Sequence, residues 1–418
     1  MMKKLLAIAA SCTALLIASV YVGPASSGAI FLLLPAFHRA TTHDLPADYE
    51  PVHEGHVSLD SGRYFRSNDD IVVPGTPGLV LTRRYAVGDR VARDFGVGTT
   101  HADEWSVIGD PRTFQWAALV RPGEAGIRFA RTSPGTSFFN AMYRHRSSDD
   151  EWRGARLGWT GGGWALRQRD GTLARFRGCG PGHGNACSIE SYRDWDGHVT
   201  AYVRDTAGRL KKMSAGRNQW IAFERDDRGR VIRASASTGR HVRYVYDSRG
   251  RLARVESEGV VTHRYTYTDR DELETVVEPE ADIENTYDEN SRCIRQVNRF
   301  ADGSEPYVFT FSYTLDGDTV TATRTDRSDG TWTHYTFTKA GHAATETWGL
   351  GSGEPSTFVF TRDPQTNAVL SFTLTCPDRT GKPLRHSSLV APGREDWLKA
   401  DMVRTHCHAS ARGWRSAG

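Results

Sequence analysis

From about residue 55 onward, apolar and polar residues alternate in short runs. In "RYVYDSRGRLARV", Tyr244 and Tyr246 fall on one side of a period-two pattern, which predicts a β-strand with one buried face. Similar runs, rich in Val, Thr, Tyr and Phe and punctuated by Gly and Asp, continue to about residue 375. The pattern predicts an all-β fold.

A seven-residue phrase recurs along this region. "RDTAGRL" (204–210), "RDDRGRV" (225–231), "YDSRGRL" (246–252) and "YTDRDEL" (267–273) follow one another at intervals of 21 residues, and the next copy follows after 20. Its aspartate suits the first position of a type I turn, and its glycine suits a left-handed position that closes the turn with a bulge. The predicted turn residues are Asp205, Gly208, Asp226, Gly229, Asp247, Gly250, Asp271, Asp288 and Ser291.

Each copy therefore predicts a β-hairpin. A second turn follows at Gly216, Gly239 and Gly259, so that one period contains two strands of about six residues and two short turns. The position two residues beyond the turn residue is apolar in every copy, and we expect this column to be buried, with the cysteine as a packed thiol. The column contains Leu210, Val231, Leu252, Leu273 and Cys293.

The phrase Y-D-x-x-G-R-L at a period of about 20 resembles the YD repeat of the Rhs (rearrangement hot spot) and teneurin proteins. The stretch "GHVSLDSGRYFRSNDDIVVPGTPGLVLTRRYAV", which begins at residue 55, and the "RDFGVG" after it resemble the domain that precedes the repeats in many bacterial Rhs proteins. "GGGWALRQRDGTLARF" is similar to that family's lead-in to the repeats. The resemblance covers about residues 55–375 and implies a sheet that spirals into a hollow shell, often around a C-terminal toxin.

The chain departs from that family in three respects. It has about eight visible repeats, where large shells need many more, and no proline-rich "DPxGL"-type boundary. About 40 residues follow Cys376, too few for a typical independent enzyme domain. We therefore expect a short Rhs-like core without a recognisable C-terminal toxin.

The N-terminus has the order of an export signal. "MMKK" is basic, residues 5–22 are apolar, and "PASSGA" offers small residues for cleavage. We expect a signal peptide over residues 1–29, a linker over 30–54 and a periplasmic, cell-surface or secreted protein without a membrane span after cleavage. Retention of the apolar segment as a membrane anchor is the alternative.

Five cysteines would remain after cleavage, in a compartment that favours disulfides. "CGPGHGNAC" predicts a bond between Cys179 and Cys187, because three glycines and a proline let the chain fold back. Cys376 and Cys407 are the second predicted pair.

The charge distribution does not indicate a nucleic-acid-binding surface, and the motifs do not indicate a catalytic or metal site. The 53 basic and 50 acidic residues are interspersed, which argues against a nucleic-acid surface. "HEGH" (53–56) and "HCH" (406–408) lack the spacing of a metal site, and "DWDG" (194–197) and "DGD" (316–318) lack the later ligands of a calcium loop. We expect no catalytic residue, no cofactor and no metal.

The expected organisation is a β-rich domain over residues 55–190, repeats over 191–375 and a tail over 376–418. The resemblance implies a non-enzymatic scaffold that encloses or binds a polypeptide partner. The alternative is a cell-surface carbohydrate-binding or adhesive protein, since five tryptophans precede the repeats and could stack on a glycan. Packing within the fold is the other explanation for them. They are Trp105, Trp116, Trp152, Trp159 and Trp164.

Overall fold

The computed structural model describes residues 52–53, 56–110, 112–121, 126–138, 141–145, 152–177, 186–339, 341–364, 369–377 and 382–389. Within these ranges the chain forms thirty-two β-strands and no helix. The strands are β1 (Val52–His53), β2 (Val57–Ser58), β3 (Phe65–Val73), β4 (Leu79–Ala86), β5 (Ala92–Arg93), β6 (Gly96–Val97), β7 (Thr99–His101), β8 (Ser106–Gly109), β9 (Trp116–Val120), β10 (Ile127–Arg131), β11 (Met142–Arg144), β12 (Arg156–Trp159), β13 (Trp164–Arg167), β14 (Leu173–Arg177), β15 (Ala186–Arg193), β16 (Val199–Arg204), β17 (Leu210–Ala215), β18 (Gln219–Arg225), β19 (Val231–Ala236), β20 (His241–Tyr246), β21 (Leu252–Ser257), β22 (Val260–Tyr267), β23 (Leu273–Val277), β24 (Ala281–Tyr287), β25 (Cys293–Phe300), β26 (Tyr307–Asp316), β27 (Thr319–Arg327), β28 (Thr331–Phe337), β29 (Ala343–Leu350), β30 (Ser356–Arg362), β31 (Val369–Pro377) and β32 (Pro383–Leu389).

Strands β8–β15 form a closed antiparallel ring of eight strands. Each strand pairs with the next in the chain, and the ring closes where β15 pairs with β8, with Cys187 opposite Val107. Trp164 and Phe176 lie opposite each other on β13 and β14, and both are buried. Period-two alternation thus gives the ring a packed apolar interior.

Strand β15 is also the first strand of the repeat sheet. Its residues 186–188 pair with β8, and its residues 191–193 pair with β16. From β16 to β32, each strand pairs antiparallel with the one that follows it. The prediction of an all-β fold with an antiparallel sheet of hairpin repeats is confirmed.

The turn residue of each repeat has a left-handed backbone. Gly250 has a φ of 85°, and Asp271 and Ser291, which replace glycine in later copies, have φ of 67° and 61°. The strand register shifts just before each turn, for example between Val245 and Tyr246, which marks the bulge. Glycine adopts this backbone without steric cost, and Asp tolerates it better than most residues. Gly208, Gly229, Gly216, Gly239 and Gly259 also have positive φ.

The apolar column of the repeats is buried, as predicted. None of its five side chains is more than 1% exposed. Burial of each aliphatic member contributes about 1.5–3 kcal/mol. We call the sheet face that carries this column the inner face, and the opposite one the outer face.

Residues 56–104, here named the crossing segment, lie across the inner face. Within the segment, β3, β4 and β7 form a three-stranded antiparallel sheet, and β5 pairs with β6. Ile71, Leu81 and Phe95 of this segment share one core cluster with the column of the repeats. The region 55–190 thus comprises two parts with different contacts, the crossing segment and most of the ring.

Several predictions concern residues outside the described ranges. These include the signal peptide, most of the linker, Cys179, Cys407 and the tail from residue 390 onward. Cys187 and Cys376 are both buried, and their two disulfides stay predictions. Strand β32 extends the sheet beyond residue 375, into the region predicted as a tail. In the part of the chain that the structure describes, no helix is long and apolar enough to cross a bilayer.

Candidate functional site

The aspartate of the repeat phrase organises the turn through its side chain. Asp247 Oδ1 accepts hydrogen bonds from the backbone N–H groups of Arg249 and Arg251, both at 2.9 Å, and Oδ2 accepts one from Arg251 Nε at 2.7 Å. Burial alone would raise the pKa of Asp247, but these bonds outweigh it and lower the pKa. The same backbone bonds are made by Asp205, Asp226 and Asp288.

The fourth copy reaches the same turn with different residues. Thr268 replaces the aspartate, and its Oγ1 accepts from the N–H groups of Arg270 and Glu272, both at 3.3 Å. Asp271 takes the left-handed position and receives Arg251 Nη1 from the preceding turn at 3.0 Å. Adjacent turns are therefore linked along the edge of the sheet.

The residue one position before the aspartate, or before the threonine that replaces it, bonds to the preceding repeat in several copies. The Tyr267 hydroxyl donates to the Leu252 carbonyl oxygen at 2.8 Å, and the Tyr287 hydroxyl donates to that of Leu273 at 2.7 Å. Each such bond contributes about 1 kcal/mol. The same bond joins Tyr246 to Val231 and Tyr313 to Cys293.

In two copies that lack the tyrosine, an arginine makes this bond. Arg225 Nη2 donates to the Leu210 carbonyl oxygen at 2.8 Å, and Arg362 Nε donates to that of Ala343 at 2.9 Å. Sequence reasoning missed this equivalence, although "RDDRGRV" and "YDSRGRL" align arginine with tyrosine. The signal was therefore present in the alignment of the copies.

The repeats offer backbone N–H groups to the crossing segment. Val231 N–H donates to the carbonyl oxygen of Asp94, and Cys293 N–H donates to that of Gly62, both at 2.8 Å. Leu273 N–H donates to the Tyr85 hydroxyl at 2.9 Å. The bulge before each turn interrupts the strand ladder, so these N–H groups bond to a partner outside the sheet. A buried N–H without a partner would cost about 1–3 kcal/mol.

A buried ion pair fixes β3 and β4 against the sheet. Arg83 Nε lies 2.9 Å from Asp70 Oδ2, and the two side chains are 3% and 2% exposed. The Tyr244 hydroxyl, on β20, donates to the same carboxylate at 2.9 Å, and the Arg83 guanidinium lies over the Tyr265 ring. These contacts join the crossing segment to two repeats.

A second ionic contact lies near β7. Arg225 Nη1 is 2.8 Å from Asp94 Oδ1, and His101 Nε2 is 3.4 Å from Asp94 Oδ2. Burial by itself would raise the pKa of Asp94, but His101 and Arg225 outweigh it and hold the pKa far below its usual value. Arg225 therefore bonds both to the preceding repeat and to the crossing segment.

Asp103, next to the last residue of the crossing segment, has a buried carboxyl group. It accepts a hydrogen bond from the Tyr202 hydroxyl at 3.0 Å. Burial raises the pKa of Asp103 to about 6, although His101 and Tyr202 act in the opposite direction.

The sequence motifs that were considered as metal sites lie in turns or include residues outside the described ranges. Asp194, Asp196 and His198 of "DWDG" and its flank bring their ligand atoms within 4.8 Å of one another. Asp194 already accepts from the backbone N–H and the Nδ1 of His198, at 2.8 and 3.0 Å, as in the repeat turns. His53 and His56 of "HEGH" lie on either side of two undescribed residues, and "HCH" lies outside the described ranges.

Three of the five tryptophans before the repeats are core residues. Trp105, Trp152 and Trp164 are at most 3% exposed. Trp105 and Trp152 meet edge to face, with ring centroids 5.8 Å apart. These three rings pack within the fold and present no stacking surface for a sugar.

No family model matches the sequence, and no curated protein matches it. Among solved structures, the crystal structure of TcdB2-TccC3-Cdc42 is similar at a TM-score of 0.36 and 10% identity, over 79% of this chain and 22% of that one. The chain thus spans about a fifth of the length of that structure. A porin-like protein from Bacteroides uniformis ATCC 8492 matches at a TM-score of 0.23 and 12% identity, over 52% of this chain and 93% of that one.

Proposed function

We propose that this chain is an exported, non-enzymatic scaffold of the Rhs type whose repeat sheet holds polypeptide. The observation that carries the proposal is that Val231, Leu273 and Cys293, from three different repeats, each donate a backbone N–H to the crossing segment. Two of these bonds, from Val231 and Cys293, go to backbone carbonyl oxygens, and recognition through main-chain bonds holds a polypeptide with little dependence on its sequence.

On the inner face, the chain's own crossing segment occupies the position that a separate bound polypeptide would take. It bonds to Tyr202 on β16 at one end, and the Leu59 carbonyl oxygen accepts from Thr323 Oγ1 on β27 at the other. A separate partner therefore binds the outer face of these repeats and is not enclosed by them.

The placement of the ionisable groups supports a role without catalysis. Asp70, Asp94 and Asp103 are buried or partly buried, and each is bonded to a side chain that fastens the crossing segment to the repeats. Export is supported by the signal-like N-terminus, and the Rhs assignment by the YD phrase, whose aspartate, glycine and tyrosine each have a defined structural role.

The test is affinity purification of the tagged chain from periplasm and culture medium after mild crosslinking, with bound species identified by mass spectrometry. An exported protein of similar size with the same tag serves as the control. We expect a stoichiometric polypeptide that the control lacks. Recovery of the chain alone from both fractions would contradict the proposal.

A further inference from the structure

The outer face of four neighbouring strands carries a group of arginines. Arg233, Arg243, Arg254 and Arg264 lie on β19, β20, β21 and β22, one on each strand, and we call them the four-arginine face. Arg233 is directly opposite Arg243, and Arg254 is directly opposite Arg264. Like charges facing each other across a strand pair destabilise a sheet. Two such pairs side by side are a feature that stability alone does not explain.

The acidic residues nearby leave this charge only partly balanced. Glu224 lies opposite Arg233, and Glu256 lies opposite Arg243. Glu256 Oε1 is 2.8 Å from Arg254 Nε. Among the described residues, Glu256 forms an ion pair with Arg254 and not with Arg243, which it faces. Arg243 and Arg264 are exposed, and neither forms an ion pair with a described residue. The face therefore presents two guanidinium groups with free hydrogen-bond donors.

A cleft adjoins these arginines. It has a volume of about 690 Å³, and Arg233, Arg243, His241, Ile232 and Val245 contribute to its walls. Two carboxylates, those of Glu224 and Asp226, also line it, and Asp226 is paired with Arg230 at 2.6 Å. Ile232 is 38% exposed, and so is Val277, which lies opposite Arg264. Aliphatic side chains are thus interspersed with the cationic ones.

We infer that the four-arginine face is the docking site for an acidic segment of the polypeptide partner. The planar guanidinium group forms paired hydrogen bonds with a carboxylate, and a bound carboxylate would relieve the repulsion between facing arginines. The exposed aliphatic side chains match the apolar residues of a polypeptide better than they match a polyanionic sugar. The inference rests on the proposed function and names the chemistry of the partner.

The direct test uses a labelled glutamate-rich peptide that also carries valine and leucine, with a dextran sulfate oligosaccharide as the competing probe. We expect the Arg243→Glu/Arg264→Glu variant to bind the peptide at least about tenfold more weakly than the wild type, and wild-type binding to weaken with salt. The matched control is Arg175→Glu/Arg295→Glu, which reverses the charge of two other exposed strand arginines. Equal losses in both variants, or binding of the oligosaccharide but not the peptide, would overturn the inference.

A stability measurement separates docking from a structural role. Arg243→Thr removes one of two facing like charges, so the variant should keep or raise the Tm of the free chain while it weakens peptide binding. A clear fall in Tm would show that Arg243 supports the fold and would count against the inference.

The inference and the proposed function can fail separately. If the wild type captures a polypeptide and Arg243→Glu/Arg264→Glu captures it equally well, the docking site is wrong and the scaffold proposal stands. If the wild type captures no polypeptide, the scaffold proposal fails, and the inference fails with it.

Discussion

At the scale of single residues, the repeat phrase is a set of donors and acceptors at fixed positions. The aspartate binds two backbone N–H groups of its own turn, the glycine supplies a left-handed backbone, and the tyrosine binds the preceding repeat. These roles are local, so the phrase predicts them from sequence. The alignment of the copies places Arg225 at the tyrosine position, but it does not distinguish this bonded arginine from the exposed arginines that flank the same turns.

Asp226 and Asp227 are neighbours in one turn, and comparing them distinguishes the effect of the turn hydrogen bonds from the effect of a negative charge. Asp226 accepts from the N–H groups of Arg228 and Arg230, at 3.0 and 2.9 Å. Asp226→Ala should lower the free energy of unfolding by about 1–2 kcal/mol, measured by urea denaturation. Asp227 is exposed and bonds to no described side chain. Asp227→Ala should therefore change the free energy of unfolding by less than about 0.5 kcal/mol. Equal effects would show that the turn bonds are unimportant.

Asp103 makes a pH-dependent contribution to stability. Because its pKa is raised to about 6 in the folded chain, the folded state binds more protons than the unfolded state between the two pKa values. The contribution of Asp103 therefore falls as pH rises through 6. Asp103→Asn keeps an acceptor for Tyr202 but does not titrate.

The advantage of Asp103→Asn over the wild type in unfolding free energy should be larger at pH 7.5 than at pH 5, by about 1–1.5 kcal/mol. Denaturation of both proteins at the two pH values checks this. An advantage that does not vary with pH would show that Asp103 titrates normally. His263, whose pKa burial lowers to about 3, is common to both proteins and cancels in the comparison.

At the scale of elements, the strands were predictable and the path of the crossing segment was not. Alternation and turn chemistry act over a few residues and define the hairpins from β16 onward. Contacts such as Tyr85 with Leu273 and Arg66 with Glu278 join residues that are 188 and 212 positions apart. No local pattern specifies such pairs. The second pairing of β15, with β8, was invisible in the sequence for the same reason.

The ion pair between β3 and β4 tests whether the crossing segment is firmly bound. Arg83→Met leaves the Asp70 carboxylate buried without its cationic partner and should cost about 3–5 kcal/mol of unfolding free energy. The matched control is Arg299→Met, because Arg299 and Glu284 form an ion pair of 2.8 Å with side chains 51% and 41% exposed. That change should cost less than about 1 kcal/mol. Similar costs for the two variants would place Asp70 and Arg83 in contact with solvent.

At the scale of the whole molecule, the ring and the repeat sheet share a strand, and both share a hydrophobic core with the crossing segment. Strand β15 belongs to both the ring and the sheet, and the core cluster runs from the crossing segment through the ring into the repeats. The repeat sheet cannot bury its inner face alone, and here the chain covers much of that face with its own residues 56–104. The outer face is therefore the face that our proposal assigns to a partner.

Backbone hydrogen exchange at the column residues is the measurement that tests this arrangement most directly. With selective ¹⁵N labelling of valine, leucine and cysteine, the N–H groups of Val231, Leu273 and Cys293 should exchange at least about a hundredfold more slowly than exposed turn amides. Tyr85→Phe should accelerate Leu273 and leave Val231 and Cys293 unchanged, because it removes the acceptor of Leu273 alone. Fast exchange at all three positions in the wild-type chain would show that the crossing segment does not lie on the inner face.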